Sequence, residues 1–295
     1  MFSIIIPTHN RRDAIERCLH SLMLLNYPKS AFEVIVVDDG GSYPLSDIID
    51  RFKETLNISL IRQDNSGPAS ARNAGASKAM GKYLLFTDDD CTLPADMLRK
   101  LEMRFNRSTK CAIGGKTVNA LTENIYSVAQ QQLLDYLFAC FNKDKTTFLT
   151  SNNLAVHAGD FKAAGGFNGK IKIAGGEDRD LCRRLLTSGC PLVYDHETQI
   201  YHYHSLSLLS FIELNFRYGR GAYLFRRLAD MGQNVHTPLE SFKFYINLIL
   251  HSSGAERNSI SLTLLLFISQ CANTFGFVWE IIQYGIRSGR NARLP

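Results

Sequence analysis

Acidic side chains are grouped in this chain at places where chemistry could use them together. Asp88-Asp89-Asp90 follow the apolar run Lys82-Tyr83-Leu84-Leu85-Phe86, and Asp38-Asp39 follow Phe32-Glu33-Val34-Ile35-Val36-Val37. Both runs have the composition of buried strands, so the acids stand where a strand passes into a loop. Neighbouring negative charges repel unless a cation or bulk water relieves them. A solvated turn that caps a helix before Pro94 is one reading of the triplet; a divalent-cation site is the other. In open α/β folds ligands sit beyond the carboxyl ends of the strands, and hard oxygen donors suit Mg²⁺ or Mn²⁺ holding a diphosphate.

The elements that must position these acids can be read from periodicity. Residues 2–6 form a short apolar strand stopped by Pro7, and Thr8-His9-Asn10 lead into a helix with Ala14, Ile15, Cys18, Leu19, Leu22 and Met23 on one face. The strand at 32–37, a helix at 47–52 and a strand at 58–61 continue the alternation. That order predicts an α/β fold, a mostly parallel, doubly wound sheet flanked by helices with right-handed crossovers. The run from Asp64 to Gly75 predicts a helix capped by Ser66, entered through Gly67-Pro68 and ended by Gly81. Arg72 on that helix stands beside the strand-end acids, where it serves a phosphate or base, or a structural ion pair.

Farther on, 111–118 reads as a strand with a glycine break, 125–141 as a helix and 147–156 as a strand. Glycines at 165, 166, 169, 175 and 176 then precede a helix that opens with Glu177-Asp178-Arg179-Asp180. Acids are favourable in a first helical turn because of the dipole, which is one account of this cluster. Strand-like pieces at 191–194 and 198–201 lead to Tyr201-His202-Tyr203-His204. Alternate residues of an extended segment share a face, so His202 and His204 can both point at one site; an ordinary, partly buried pair is the other reading.

The runs Ser3-Ile4-Ile5-Ile6-Pro7-Thr8-His9-Asn10-Arg11, Val36-Val37-Asp38-Asp39-Gly40, Asn65-Ser66-Gly67-Pro68-Ala69-Ser70-Ala71-Arg72-Asn73 and Phe86-Thr87-Asp88-Asp89-Asp90 together resemble the family 2 glycosyltransferases of GT-A fold. The resemblance implies that Pro7, Thr8 and Arg11 line a nucleotide pocket, that Asp39 reaches the base and that Arg72 lies near the nucleotide. It makes Asp88 and Asp90 the DxD pair, the first facing the ribose and the second the metal, with Asp89 between them on the nucleotide side. Gly40-Gly41-Ser42 departs from the commoner Asp-Gly-Ser run; the extra glycine is expected to loosen the loop and leaves the role of Asp38 open. The segment from Ala164-Gly165-Gly166-Phe167 to Glu177-Asp178 resembles the family's late motif, which makes Asp178 the candidate general base, with Glu177 beside it facing substrate. A histidine near the last strand supplies a further metal ligand in several GT-A enzymes, so His204, then His202, join Asp90 and Asp88 as candidate ligands of Mg²⁺ or Mn²⁺.

The activity implied is inverting, metal-dependent transfer of a sugar from a UDP-, GDP- or dTDP-type donor to a hydroxyl of a glycan, lipid-linked or small acceptor. A carboxylate takes the acceptor proton while that oxygen attacks opposite the leaving group, and a cation stabilises charge developing on the diphosphate. A sugar-1-phosphate nucleotidyltransferase is a close rival, but the residues after the first strand lack a glycine-rich phosphate loop. A noncatalytic nucleotide-sugar-binding scaffold subunit is the rival from another class.

Composition sets the outer bounds. Within 295 residues the sequence divides into 1–205, with 1–110 as donor half and 111–205 as acceptor half, and a helical extension at 206–295. A net charge of +5 from 33 basic and 28 acidic residues is too mild to imply nucleic acid without a concentrated patch. Seven scattered cysteines without a CxxC pair read as reduced thiols rather than a disulfide framework or zinc site. No basic, long apolar leader is read at the N-terminus. Residues 206–228 suggest an amphipathic helix with Arg217, Arg220, Arg226 and Arg227, and 258–279 lack charge over a near-spanning length, followed by Arg287, Arg290 and Arg293. A cytoplasmic protein, peripheral at the inner face of the membrane, is expected; a spanning helix, a buried hairpin or a homo-oligomer contact also accounts for the apolar run.

Overall fold

The computed structural model describes residues 1–108, 110–173, 175–233, 242–251 and 259–291. They form two compact units: residues 1–120, 141–172 and 178–204 in the first, and 121–140, 173–177 and 205–295 in the second.

The first unit opens with β1 (Phe2–Thr8), α1 (Arg12–Met23), β2 (Phe32–Asp39), α2 (Ser46–Phe52), β3 (Ile58–Gln63), α3 (Pro68–Lys78) and β4 (Tyr83–Thr87). β1 pairs in parallel with β2 and β4, and β2 with β3. Both faces of β1, β2 and β4 are covered, which is why they read as continuous apolar runs, whereas β3 at the sheet edge is only partly buried. Phe2, Ile4 and Ile6 of β1 and Phe32, Val34 and Val36 of β2 pack with Leu19 and Leu22 of α1 and Ile48 and Phe52 of α2. The alternate residues Ile35 and Val37 meet Ala71 of α3 on the other face. A Cβ on Gly75 would lie 2.5 Å from Ile5 Cγ2, so small residues let α3 approach the sheet.

After β5 (Cys91–Thr92) and α4 (Met97–Arg107), β6 (Ala112–Asn119), β7 (Asn153–His157), α6 (Ala158–Ala163), α7 (Glu177–Thr187) and β8 (Leu192–His202) complete the unit, with α5 (Ile125–Phe141) between β6 and β7. The sheet order is β3-β2-β1-β4-β7-β6-β8-β5. Pairing turns antiparallel at β4–β7, β6–β7 and β5–β8, while β6–β8 is parallel. The glycine break in 111–118 lies at the register shift between Gly115 and Lys116, where residues 196–198 of β8 bulge. A Cβ on Gly115 would fall 1.7 Å from the Thr198 carbonyl. β7 begins later than the 147–156 expectation because the preceding amides are used elsewhere: Thr147 and Phe148 donate to Asn142 Oδ1, and Ser151 donates to Asp178.

Topology forces curvature. From β4 across β7, β6 and β8 to β5 a flat sheet would span roughly 19 Å, yet the chain between Thr87 and Cys91 reaches at most about 14 Å. The sheet therefore curls, and Asp88-Asp89-Asp90 bridge the seam between its middle and its edge.

In the second unit residues 125–140 of α5 join α8 (Leu208–Gln233), α9 (Phe242–His251) and α10 (Ser259–Asn291). Ala129, Phe211, Leu214, Leu262 and Leu265 form one cluster, and Leu133, Tyr136, Leu248 and Leu266 another. α8 and α10 approach closely at two glycines: a Cβ on Gly219 would lie 1.8 Å from the Asn273 carbonyl, and one on Gly276 1.9 Å from that of Phe216. Arg220 Nε donates to Glu280 Oε2 at 2.7 Å, pairing the charge that ends the apolar run. Residues 260–286 of α10 are long and apolar enough to cross a membrane, and Ile260, Leu264, Phe267, Phe275 and Ile282 are exposed along it. The side chains of Arg287 and Arg290, and all of Arg293, lie outside the described residues.

Candidate active site

The end of β2 is built around two carboxylates with separate tasks. Asp39, buried, accepts from Gln63 Nε2 at 2.7 Å and from the Ser66 and Gly67 amides at 2.9 Å each. The start of α3 is thus capped by a side chain from β2. Gly67 holds the cap position at φ 88°, and Ser66, expected as the cap, turns its hydroxyl to the Asp64 carbonyl. The helix ends at Lys78, before Gly81, which instead packs on the Phe2–Ser3 backbone.

Asp38 Oδ1 accepts from the Gly41 amide at 2.8 Å, and its Oδ2 lies 3.7 Å from Arg62 Nε. The Gly40-Gly41 loop is tied rather than loosened. A Cβ on Gly41 would fall 2.7 Å from Asp38 Oδ1, and Ser42 N–H is held by Asn10 Oδ1 at 2.6 Å. Asn10 reaches that contact with φ 56°, a left-handed conformation that asparagine tolerates.

At the seam the three acids diverge. Asp88 Oδ1 accepts from Arg72 Nη2 at 2.8 Å. Asp89 Oδ2 accepts from Thr8 Oγ1 at 2.6 Å, and its Oδ1 meets Arg11 Nη1 at 3.2 Å. Asp90 Oδ2 meets the same guanidinium at 2.8 Å, and its Oδ1 lies 3.0 Å from His202 Nε2. Burial, reinforced by Asp90 against Arg11, pushes the Asp89 carboxyl up to about 6. Burial also acts to raise Asp90, but the His202 hydrogen bond and the charges of His202 and Arg11 outweigh it and hold the carboxyl below its usual range. His202 is raised because Asp90 outweighs the effect of burial. His204, stacked on His202 with centroids 4.9 Å apart, is lowered to about 4 by burial and by that neighbour.

β5 makes this possible. Its antiparallel pairing sets Cys91 opposite His202, and the Tyr203 amide donates to the Asp90 carbonyl at 2.8 Å. Asp90, His202 and Cys91 bring their donor atoms within 4.8 Å of one another. A carboxylate with an imidazole is a donor set that fits a divalent cation, Mn²⁺ more readily than Mg²⁺. Of the predicted metal ligands the fold joins Asp90 with His202, turns Asp88 to Arg72 and leaves His204 stacked behind.

Asp178, half-buried in the first turn of α7, accepts from the Ser151 amide at 3.1 Å through Oδ2, while its Oδ1 is shielded and makes no hydrogen bond. Burial raises its carboxyl; the charge of Arg72 and the Ser151 amide oppose the rise, and Asp88 adds to it. Glu177 belongs to the second unit, where its Oε2 accepts from the Gly175 amide at 2.7 Å. Pro7 lies in β1 opposite Val37.

Several supports were not singled out from the sequence. Asn73 holds Phe167 through both its amide and carbonyl, at 2.9 and 2.7 Å, which fixes the Gly165-Gly166-Phe167 turn to α3. Arg184, paired with Asp180, donates to the Gly166 carbonyl at 2.6 Å. Arg72 stands 5.5 Å from the centre of the Phe167 ring. Asn73 follows Arg72 directly, so its place in the same motif was the available signal. Beyond Phe167 the loop crosses the cap of α3, where a Cβ on Gly67 would lie 2.5 Å from the Lys172 carbonyl.

The profile of the family described as Glycosyl transferase family 2 matches residues 3–163. The poly(ribitol-phosphate) beta-N-acetylglucosaminyltransferase TarS of Staphylococcus aureus is 34% identical over 100 residues, covering 33% of this chain and 18% of the relative. The putative teichuronic acid biosynthesis glycosyltransferase TuaG of Bacillus subtilis is 33% identical over 124 residues, 41% of this chain and 48% of the relative. The matches thus span less than half of these relatives' lengths. The structure of a mannosyltransferase from Pyrobaculum calidifontis, in complex with GDP-Man and Mn²⁺, covers 92% of this chain and 74% of its own at TM-score 0.61 and 17% identity, a likeness of fold.

Proposed function

Because this chain belongs to glycosyl transferase family 2, we propose that it transfers a sugar from a nucleotide-diphosphate donor to an acceptor hydroxyl with inversion at the anomeric carbon. The observation that carries this reading is the state of Asp178. One carboxylate oxygen is fixed by the Ser151 amide and the other makes no hydrogen bond, so its lone pairs are uncommitted. The acceptor oxygen forms its bond to the anomeric carbon as the bond from that carbon to the diphosphate oxygen breaks; the electron pair leaves with the diphosphate and the hydroxyl proton passes to Asp178. Burial works on the base as its role requires, raising its proton affinity while Arg72 keeps the ionised form accessible.

Around the donor, Arg11 and Arg72 supply fixed positive charge for the diphosphate, Asp39 and the β1 end at Pro7 and Thr8 serve the nucleoside, and Asp88 and Asp89 hold the two arginines in place. Asp90 and His202 hold Mn²⁺ or Mg²⁺, which when bound neutralises charge on the diphosphate leaving group. Glu177 acts at the acceptor side. Residues 1–205 carry the chemistry, and 206–295 dock the enzyme on the cytoplasmic face of a membrane through the exposed apolar residues of α10. Lipid-linked or polymeric acceptors suit that location, and UDP and GDP sugars are the first donors to try.

The test is titration of UDP-, GDP- and dTDP-sugars with Mn²⁺, followed by turnover with the unchanged enzyme and with Asp178→Asn. The expected result is retained donor affinity and a loss of kcat of about 10²- to 10⁴-fold. Equal turnover by the variant would remove Asp178 as the base. Recovery of the chain in a detergent-free soluble fraction, without flotation on anionic liposomes, would remove the membrane assignment.

A further inference from the structure

We propose that Cys91 turns the Asp90–His202 pair into a three-donor site for a thiophilic divalent cation, Zn²⁺ or Cd²⁺, which competes there with the harder ion of the transfer reaction. The inference rests on the reading of Asp90 and His202 as metal ligands and concerns which metals that site accepts.

The geometry comes from the two-residue strand β5. Cys91 and His202 are directly opposed across an antiparallel pair, so their side chains leave the ribbon on the same face. Asp90 precedes Cys91, and its Oδ1 is already 3.0 Å from His202 Nε2. The three donor atoms lie within 4.8 Å of one another, a separation that small side-chain rotations reduce to the spacing of ligands around one ion. The backbone here is pinned at Cys91 N–H to the Asp88 carbonyl, 3.1 Å, and at Tyr203 N–H to the Asp90 carbonyl, 2.8 Å. A preformed cluster on a pinned backbone needs little ordering to bind.

Donor chemistry decides the preference. Mg²⁺ takes oxygen ligands and gains nothing from a thiol, and Mn²⁺ gains little, so for these ions Cys91 is a bystander. Zn²⁺ and Cd²⁺ favour sulfur and nitrogen, and thiolate, imidazole and carboxylate are each ligand types of zinc, which at open sites takes three of them. Binding releases the thiol proton to solvent together with any proton shared between His202 and Asp90; no electron transfer is involved. Cys91 is fully buried, so its sulfur would reach an ion from the core side, and burial, which holds the free thiol protonated, makes thiolate formation depend on the cation. An ion so held occupies the ligands of the catalytic cation and acts as an inhibitor at low concentration.

The experiment uses the full chain stripped of metal with a chelator, with the two thiols that are not buried, Cys140 and Cys271, replaced by serine. Cd²⁺ is titrated in while the ultraviolet charge-transfer absorption of cadmium thiolate is followed, and Mn²⁺ is then added in excess. The expected outcome is a band saturating near one equivalent, diminished only by a large excess of Mn²⁺, and lost on Cys91→Ser and on Cys91→Ala. His202→Ala should lower the Cd²⁺ affinity by about tenfold or more. X-ray absorption of the Zn²⁺-loaded protein with Cys91 intact should show one sulfur at about 2.3 Å beside nitrogen and oxygen, and this readout does not depend on either Cys91 variant folding. A metal shell without sulfur, or a band that persists in Cys91→Ser, overturns the proposal. Mn²⁺ binding without any Cd²⁺ band overturns this inference alone, whereas failure to bind Mn²⁺ as well counts against the metal reading of the transferase.

Discussion

Asp89→Asn gives the most direct measurement of how the fold treats its central acid. The carboxyl, 5% exposed, ordinarily titrates near 3.8 and is pushed by burial to about 6. Between those values the unfolded chain has released a proton that the folded chain retains, so the folded state binds more protons and its stability falls as pH rises through the window. Two pH units at about 1.4 kcal/mol each give roughly 3 kcal/mol, present below pH 4 and lost by pH 7. Asparagine has no such ionisation. It keeps an acceptor for Arg11, and the Thr8 hydroxyl can rotate to accept from its amide, so any residual penalty is a constant offset. Asp90 and His202 titrate in both proteins and cancel to a first approximation. The assay is urea unfolding of both proteins, free of divalent cations, at pH 4, 5, 6 and 7. The variant should gain on the parent by roughly 2.5 kcal/mol across the series, the rest of the effect lying below pH 4. A difference that stays flat, or that moves against the variant as pH rises, refutes the claim that this carboxylate is ionised against the preference of the fold.

Asp39→Ala leaves the Gln63 amide and the Ser66 and Gly67 N–H groups without their acceptor, and should lower unfolding stability by about 1–3 kcal/mol, with Asp39→Asn between the two, read by thermal melting. Gly219→Ala forces a methyl group against the Asn273 carbonyl and should cost about 1–3 kcal/mol, whereas Gly285→Ala, with nothing within 4 Å in the same unit, should be neutral or mildly stabilising. Removal of divalent cations should abolish sugar transfer and added Mn²⁺ restore it. Because the Asp90 contact raises His202 and a ligand imidazole must be unprotonated, Mn²⁺ affinity measured by paramagnetic resonance should climb as pH rises through the His202 titration.

The donor half was legible because local signals agreed there. An apolar run stopped by Pro7 named β1, apolar runs ending in acids named β2 and β4, and the parallel sheet followed from their alternation with helices. The later sheet was harder to read, since antiparallel β7 and the two-residue β5 depend on partners far away in sequence. The 147–156 stretch has strand-like residues at both ends, but Asn142 and Asp178 take the amides of its first half. Individual site acids were visible by type, while their division of labour was not: nothing in Asp88-Asp89-Asp90 says that successive residues face Arg72, Thr8 and His202. The glycines of α8 and α10 gave no periodic signal, because close helix approach is set by a pair of positions about 57 residues apart.

The curled seam has a consequence for synthesis on the ribosome. Once about 110 residues have emerged, a nascent chain holds every strand of the parallel half and all three bridging acids, yet β5 still lacks the strand it pairs with. Asp90 meets its histidine only after residue 202 has followed, so of the contacts made by the three acids this one closes last. An N-terminal fragment ending before β8 therefore lacks both the partner strand of β5 and the imidazole that meets Asp90.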